Sequence, residues 1–135
     1  MPFIAWSPEF SVGIDSIDRQ HKRLVELIDI LYESRIAGTT ALSLPHLLVE
    51  LRRCKEEHFA FEELCFERTG FPDARRHVEE HRKLTRRLKE FQVTLAHEKL
   101  PTTLELLDFL NTWLKDHILG MDKAYADHLR KGGIT

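Results

Sequence analysis

A chain of 135 residues can bury one proper core but not two, so one domain, 1–135, is expected. With 42% apolar and 31% charged residues it reads as an ordinary globular protein. Its formal net charge of −2 gives no reason to expect a nucleic acid or an anionic membrane surface as partner.

An irregular N-terminal arm is expected over residues 1–17. It opens Met1-Pro2-Phe3-Ile4-Ala5-Trp6, without the basic and apolar stretches of a secretory signal. The first helix is predicted over about 18–37, stopped by Gly38. The second runs over about 43–68, with Pro45 in its first turn and Gly70-Phe71-Pro72 as its stop. The third runs over about 73–96, with Asp73 placed to cap it. The fourth runs over about 102–131: Thr102-Thr103-Leu104-Glu105 fits a capping box, and Gly132-Gly133 follows its end. No run approaches the roughly 20 apolar residues that cross a bilayer. Cys54 and Cys65 share the second helix, about 16 Å apart at 1.5 Å per residue, too far to pair with each other. A reducing cytoplasm is the expected setting. Long helices joined by short loops favour antiparallel neighbours, hence an all-α, up-down-up-down four-helix bundle.

Steps of three and four trace the inward stripe of each helix. Helix one gives His21, Leu24, Ile28 and Leu31; helix two gives Leu47, Leu51, Cys54, His58, Phe61 and Cys65, with Glu62 beside them. Helix three gives His77, His81, Leu84, Leu88, Phe91 and Leu95; helix four gives Leu106, Leu110, Trp113, His117 and Met121. Five histidines thus continue apolar seams. Burying an unpaired polar group costs roughly 2–7 kcal/mol, and a charge more. A metal cluster is the compensation that fits this mixture, because neutral imidazole binds transition metals and carboxylates can bridge two cations.

Antiparallel packing brings His21, His58, Glu62, His77, His81 and His117 to one level, near one end of the bundle. Asp122 joins them only if the helix widens, since residues five apart diverge by about 140° at about 100° per residue. A π-bulge is therefore predicted around Gly120. His46, His97 and His128 fall near helix ends or off the seams and are read as surface residues. Seven donors exceed the four of a structural zinc site. Two ions sharing bridges would use them, and the shell is richer in nitrogen than the Glu-x-x-His di-iron pattern, which does not occur here.

The run Phe10-Ser11-Val12-Gly13-Ile14-Asp15-Ser16-Ile17-Asp18-Arg19-Gln20-His21, then His58-Phe59-x-x-Glu62-Glu63, His77-x-x-x-His81 and His117-Ile118-x-x-x-Asp122-Lys123, resembles the hemerythrins, and most of all their single-domain bacterial type. The resemblance spans essentially the whole chain. It implies two iron ions: His77, His81 and His117 on one, His21 and His58 on the other, which keeps a vacant position. Glu62 and Asp122 would bridge them, together with a solvent-derived oxo or hydroxo group. It also implies an apolar oxygen pocket of Leu24, Phe59, Trp113, Leu114 and Ile118. The activity implied is reversible dioxygen binding for storage, transport or delivery, without turnover as an enzyme. The partners would be dioxygen and an oxygen-using enzyme or reductase, and the chain is expected to be a monomer. Sensing of oxygen, nitric oxide or redox state is an alternative, as is detoxification of iron or peroxide. Cys65-Phe66 depart from the Leu-Met pair common at this place in the family; Cys65 is read as a small buried hydrophobe, as is Cys54.

Overall fold

The computed structural model describes residues 4, 6–95 and 100–135. His97 and Ala96 lie outside the described residues. Four long helices dominate: α1 (Asp15–Ala37), α2 (Thr40–Thr69), α3 (Ala74–Leu95) and α4 (Leu100–Lys115). The last of these runs on through a π-helical segment (Asp116–Asp122) into α5 (Lys123–Lys131), so the fourth rod of the bundle is one interrupted helix. Each rod packs against two others in the cyclic order α1–α2–α3–α4, the expected up-down-up-down bundle.

Local chemistry accounts for where the helices begin and end. Gly38 and Gly70 both adopt the left-handed conformation, at φ 75° and 63°. At Gly38 the chain closes with Thr39 N–H donating to the Ser34 carbonyl at 2.9 Å, which satisfies a terminal acceptor. Asp73 sits at the start of α3 as expected, its carbonyl accepting from the His77 N–H at 3.1 Å.

Three boundaries differ from the sequence expectation. Helix α1 begins three residues early, because the Asp18 carboxylate accepts the Val12 N–H at 2.9 Å and the Ser11 hydroxyl at 2.5 Å, fastening the arm to the first turn. The arm itself contains a 3-10 turn, Pro8–Phe10, which buries Phe10. Helix α2 begins at Thr40, which places Pro45 in its second turn rather than its first. Helix α4 begins at Leu100, ahead of the expected capping box at Thr102.

The predicted widening is present. Residues Asp116–Asp122 are π-helical, and the Lys123 N–H donates to the Ile118 carbonyl five residues back. This geometry turns His117, Ile118 and Asp122 inward together. Gly120 keeps a negative φ, and a Cβ added there meets nothing within 4 Å. Gly120→Ala should therefore preserve the fold and raise stability by about 0.5–1 kcal/mol through lost backbone freedom in the unfolded chain. Thermal denaturation measures this, and a loss of stability would mean that the π segment needs glycine.

Two apolar clusters fill the bundle. The larger is built from Leu24, Ile28, Leu31, Leu106, Leu110 and their neighbours. The smaller comprises Val12, Ile14, Ile17, Cys65, Phe66, Tyr125, Ala126 and Leu129, and ties the arm to α1, α2 and α5. Phe59, Leu114 and Ile118 of the larger cluster and Phe66 and Tyr125 of the smaller one flank the histidines from opposite sides.

Candidate metal centre

All seven predicted donors are buried: His21, His58, Glu62, His77, His81, His117 and Asp122 are at most 3% exposed. Each helical rod supplies at least one. His58 and Glu62, like His77 and His81, are four apart on one helix face, so each pair points the same way. The π segment supplies His117 and Asp122 together.

Their polar atoms converge. Glu62 Oε1 lies 2.6 Å from His58 Nε2, and Glu62 Oε2 lies 3.1 Å from His77 Nε2. Asp122 Oδ2 lies 2.7 Å from His21 Nε2, while Asp122 Oδ1 lies 2.9 Å from His117 Nε2 and 3.1 Å from His77 Nε2. His81 Nε2 is 3.5 Å from Glu62 Oε1. Each carboxylate thus spans two groups of imidazoles.

This donor set suits cations better than it suits itself. Both oxygens of Glu62, both of Asp122, and Nε2 of His77, His81 and His117 are buried without an aligned hydrogen bond. Cis donors about 2.1 Å from a shared ion stand about 3 Å apart, which is the spacing seen here. Two overlapping groups have ligand atoms all within 4.8 Å of one another: Glu62, His77, His81 and His117, and His58, Glu62, His117 and Asp122. Glu62 and His117 belong to both. His21, through its 2.7 Å approach to Asp122 and 3.0 Å approach to His58 Nε2, extends the second group. Two adjacent ions sharing the carboxylates fit this layout.

Charge within the cluster follows burial and proximity. Burial opposes a proton on His58, but Glu62 and Asp122 outweigh it and raise the pKa to about 9. Burial likewise opposes charge on His117, but the Asp122 carboxylate leads a net rise to about 10. His77 is raised too: the two carboxylates overcome its desolvation. His21 stays below its ordinary value, because burial and the neighbouring His58 outweigh Asp122. Burial pushes Glu62 up, yet His58, His117 and His77 hold it well below the carboxylate range. Burial and Glu62 push Asp122 up, yet His117 and His21 hold it low.

The outer contacts orient the imidazoles. His58 Nδ1 is 2.6 Å from Gln20 Oε1, and His81 Nδ1 is 3.1 Å from Glu63 Oε2. Such partners fix which ring nitrogen faces inward. Phe59 stacks on His81 at 3.6 Å between centroids, and Trp113 stacks on His117 at 4.9 Å. Tyr125 packs 5.3 Å from His77, and burial together with the charge of Glu62 pushes its hydroxyl well above its ordinary pKa. Sequence reasoning gave Gln20, Glu63 and Tyr125 no role. The only signal for the first two was their position next to His21 and Glu62.

Leu24, Phe59, Leu114 and Ile118 are at most 5% exposed, and Trp113 is partly buried against the same cluster. Cys65 is buried, as expected, and Cys54 is partly so. Of the histidines read as surface residues, His46 is exposed. His128 departs from that reading: it is partly buried, with Nε2 2.7 Å from the Thr69 carbonyl, because α5 packs back on the end of α2.

Fold and site together define a metal-binding four-helix bundle whose donors fit a non-haem di-iron centre. Residues 12–129 match the family described as hemerythrin HHE cation binding domain. The chain belongs to this family. Among its relatives are a bacteriohemerythrin of Stenotrophomonas maltophilia, 32% identical over 131 residues, and one of Pseudomonas paraeruginosa, 34% identical over 131 residues. Each alignment covers 96% of this chain and 84% of the relative. A crystal structure of a hemerythrin variant superposes with a TM-score of 0.83 at 25% identity, covering 96% of this chain and 98% of that one.

Proposed function

We propose that this chain binds dioxygen reversibly at a di-iron centre held by His77, His81 and His117 on one ion and His21 and His58 on the other, with Glu62 and Asp122 bridging. The reading rests on one observation: a nitrogen-dominated set of seven donors buried against an apolar wall. Iron bound by these residues would supply reversible electron exchange with dioxygen. The protein's own part is to hold, orient and keep dry. Gln20 and Glu63 hold His58 and His81 in register. Leu24, Phe59, Leu114 and Ile118 exclude water, so that charge shifts within the pocket meet little competing solvent. Such a site acts as a carrier and not as an enzyme.

The test is an optical spectrum of the reduced protein, taken without air, then in air, then after deoxygenation. Bands that appear and vanish in step with oxygen support the carrier, whereas prompt irreversible oxidation with peroxide turnover would replace it with a detoxifying enzyme. Ile118→Thr, which places a hydroxyl in the apolar wall, should shorten the life of the oxygenated form on the order of tenfold. The decay of its absorption in air measures this.

A further inference from the structure

Beside the metal centre, α2 and α3 enclose a crevice of about 40 Å³ whose own lining residues have no part in the proposed oxygen chemistry. Lys55 reaches into it and is only 4% exposed. Its ammonium has three donors. Thr85 Oγ1 accepts one at 3.0 Å, and the face of Phe59 lies 5.9 Å away. Among the described residues Lys55 forms no ion pair, and neither do Arg52 and Lys89, which line the same crevice. Glu56 is the one carboxylate of its lining. Burial depresses the Lys55 pKa; Glu56 opposes this, and Lys89 and Arg52 add to it. The Lys55 ammonium thus has a hydroxyl as its hydrogen-bond partner and no carboxylate in direct contact, Glu56 acting on it only from beyond ion-pair distance.

We propose that this crevice is a binding site for the carboxylate head of a small organic acid. The two oxygens would take the free Lys55 donors and meet the charges of Arg52 and Lys89. At 10–15 Å³ for each water-sized group, the crevice holds about three such groups, which matches a carboxylate; Lys55, Glu56 and Thr85 also line the broader groove beside it, through which such a ligand would enter. Leu51 and Leu88 form apolar wall for the adjoining carbon. The site also touches the metal centre, because Thr85 Oγ1 donates in turn to the His81 carbonyl at 3.0 Å.

Calorimetric titration of the full chain with acetate, both metal-free and iron-loaded, tests the proposal. Saturable binding is expected in both forms. Lys55→Met, close in volume, should weaken it at least about tenfold. Arg52→Gln with Lys89→Gln, both exposed, should weaken it without disturbing the core. Acetate binding that survives Lys55→Met unchanged would belong to another site, such as the metal centre, and would overturn the proposal. So would the absence of saturable binding, or inorganic phosphate binding more tightly than acetate. The metal-free arm keeps this result separate from the oxygen reading: failure to load iron would sink that reading and leave acetate binding untouched.

Discussion

His77→Ala and His117→Ala should each lose iron, dropping the content from two ions per chain to one or none, with affinity for the remaining metal lower on the order of 100-fold. His77 Nε2 stands 3.1 Å from both Glu62 and Asp122, and His117 Nε2 stands 2.9 Å from Asp122. Either truncation removes one of the three imidazoles proposed for one ion and leaves two buried carboxylates short of a partner. Both effects act against loading. His46→Ala, on the exposed face of α2, is the control and should load two ions. Metal analysis after reconstitution decides the matter. Equal iron loss in the control would remove the ligand assignment, and a variant that melts far below the native protein while metal-free must be compared by affinity and not by yield.

Iron should also stabilise the fold, and by an amount that grows with pH. In the metal-free protein the raised pKa values of His58 and His117, about 9 and about 10, mean that their imidazolium forms contribute stability fully below the unfolded value of 6.5. That contribution is lost as pH rises through the folded values. Glu62 and Asp122 act in the opposite sense: their lowered values give stability that is present above the ordinary carboxylate range and lost only in strong acid. Metal must displace the imidazolium protons, so each contributes about tenfold in affinity per pH unit while it is bound. Two such protons make loading about a hundredfold tighter per unit between about pH 7 and about pH 9. The gap in melting temperature between loaded and stripped protein should widen over that interval, because a ligand stabilises in proportion to the logarithm of its concentration over Kd. A constant gap, or one that shrinks with pH, would show that metal binding displaces no protons.

Much of this site was legible because it breaks a rule. Ionisable residues on an apolar stripe stand out, and their depth follows from antiparallel helices alone, so His21, His58, His77, His81 and His117 could be placed together without coordinates. Asp122 was legible through its mismatch of spacing, which demanded a wider turn. What stayed hidden depends on packing between helices. Lys55 looks like any surface lysine from its own helix, and only the approach of α3 buries it. Tyr125 is buried because α5 continues beneath the widened turn, and His128 meets Thr69 because α5 lies against the end of α2. Gln20 and Glu63 are ordinary helix residues until a ring nitrogen arrives beside them. The start of α1 moved because Asp18, in its first turns, fastens the arm to the helix, a contact that helix periodicity does not reveal.

The π segment has a consequence for recognising distant kin. The interval between the histidine and the aspartate donors of the fourth rod is set by helix type and not by the cation. Five positions require the wide turn found at Asp116–Asp122, whereas an ordinary α-helix would bring the same two groups to one face at an interval of four. A rigid pattern that insists on His117 and Asp122 being five apart would overlook chains that meet the same chemical need with one residue fewer.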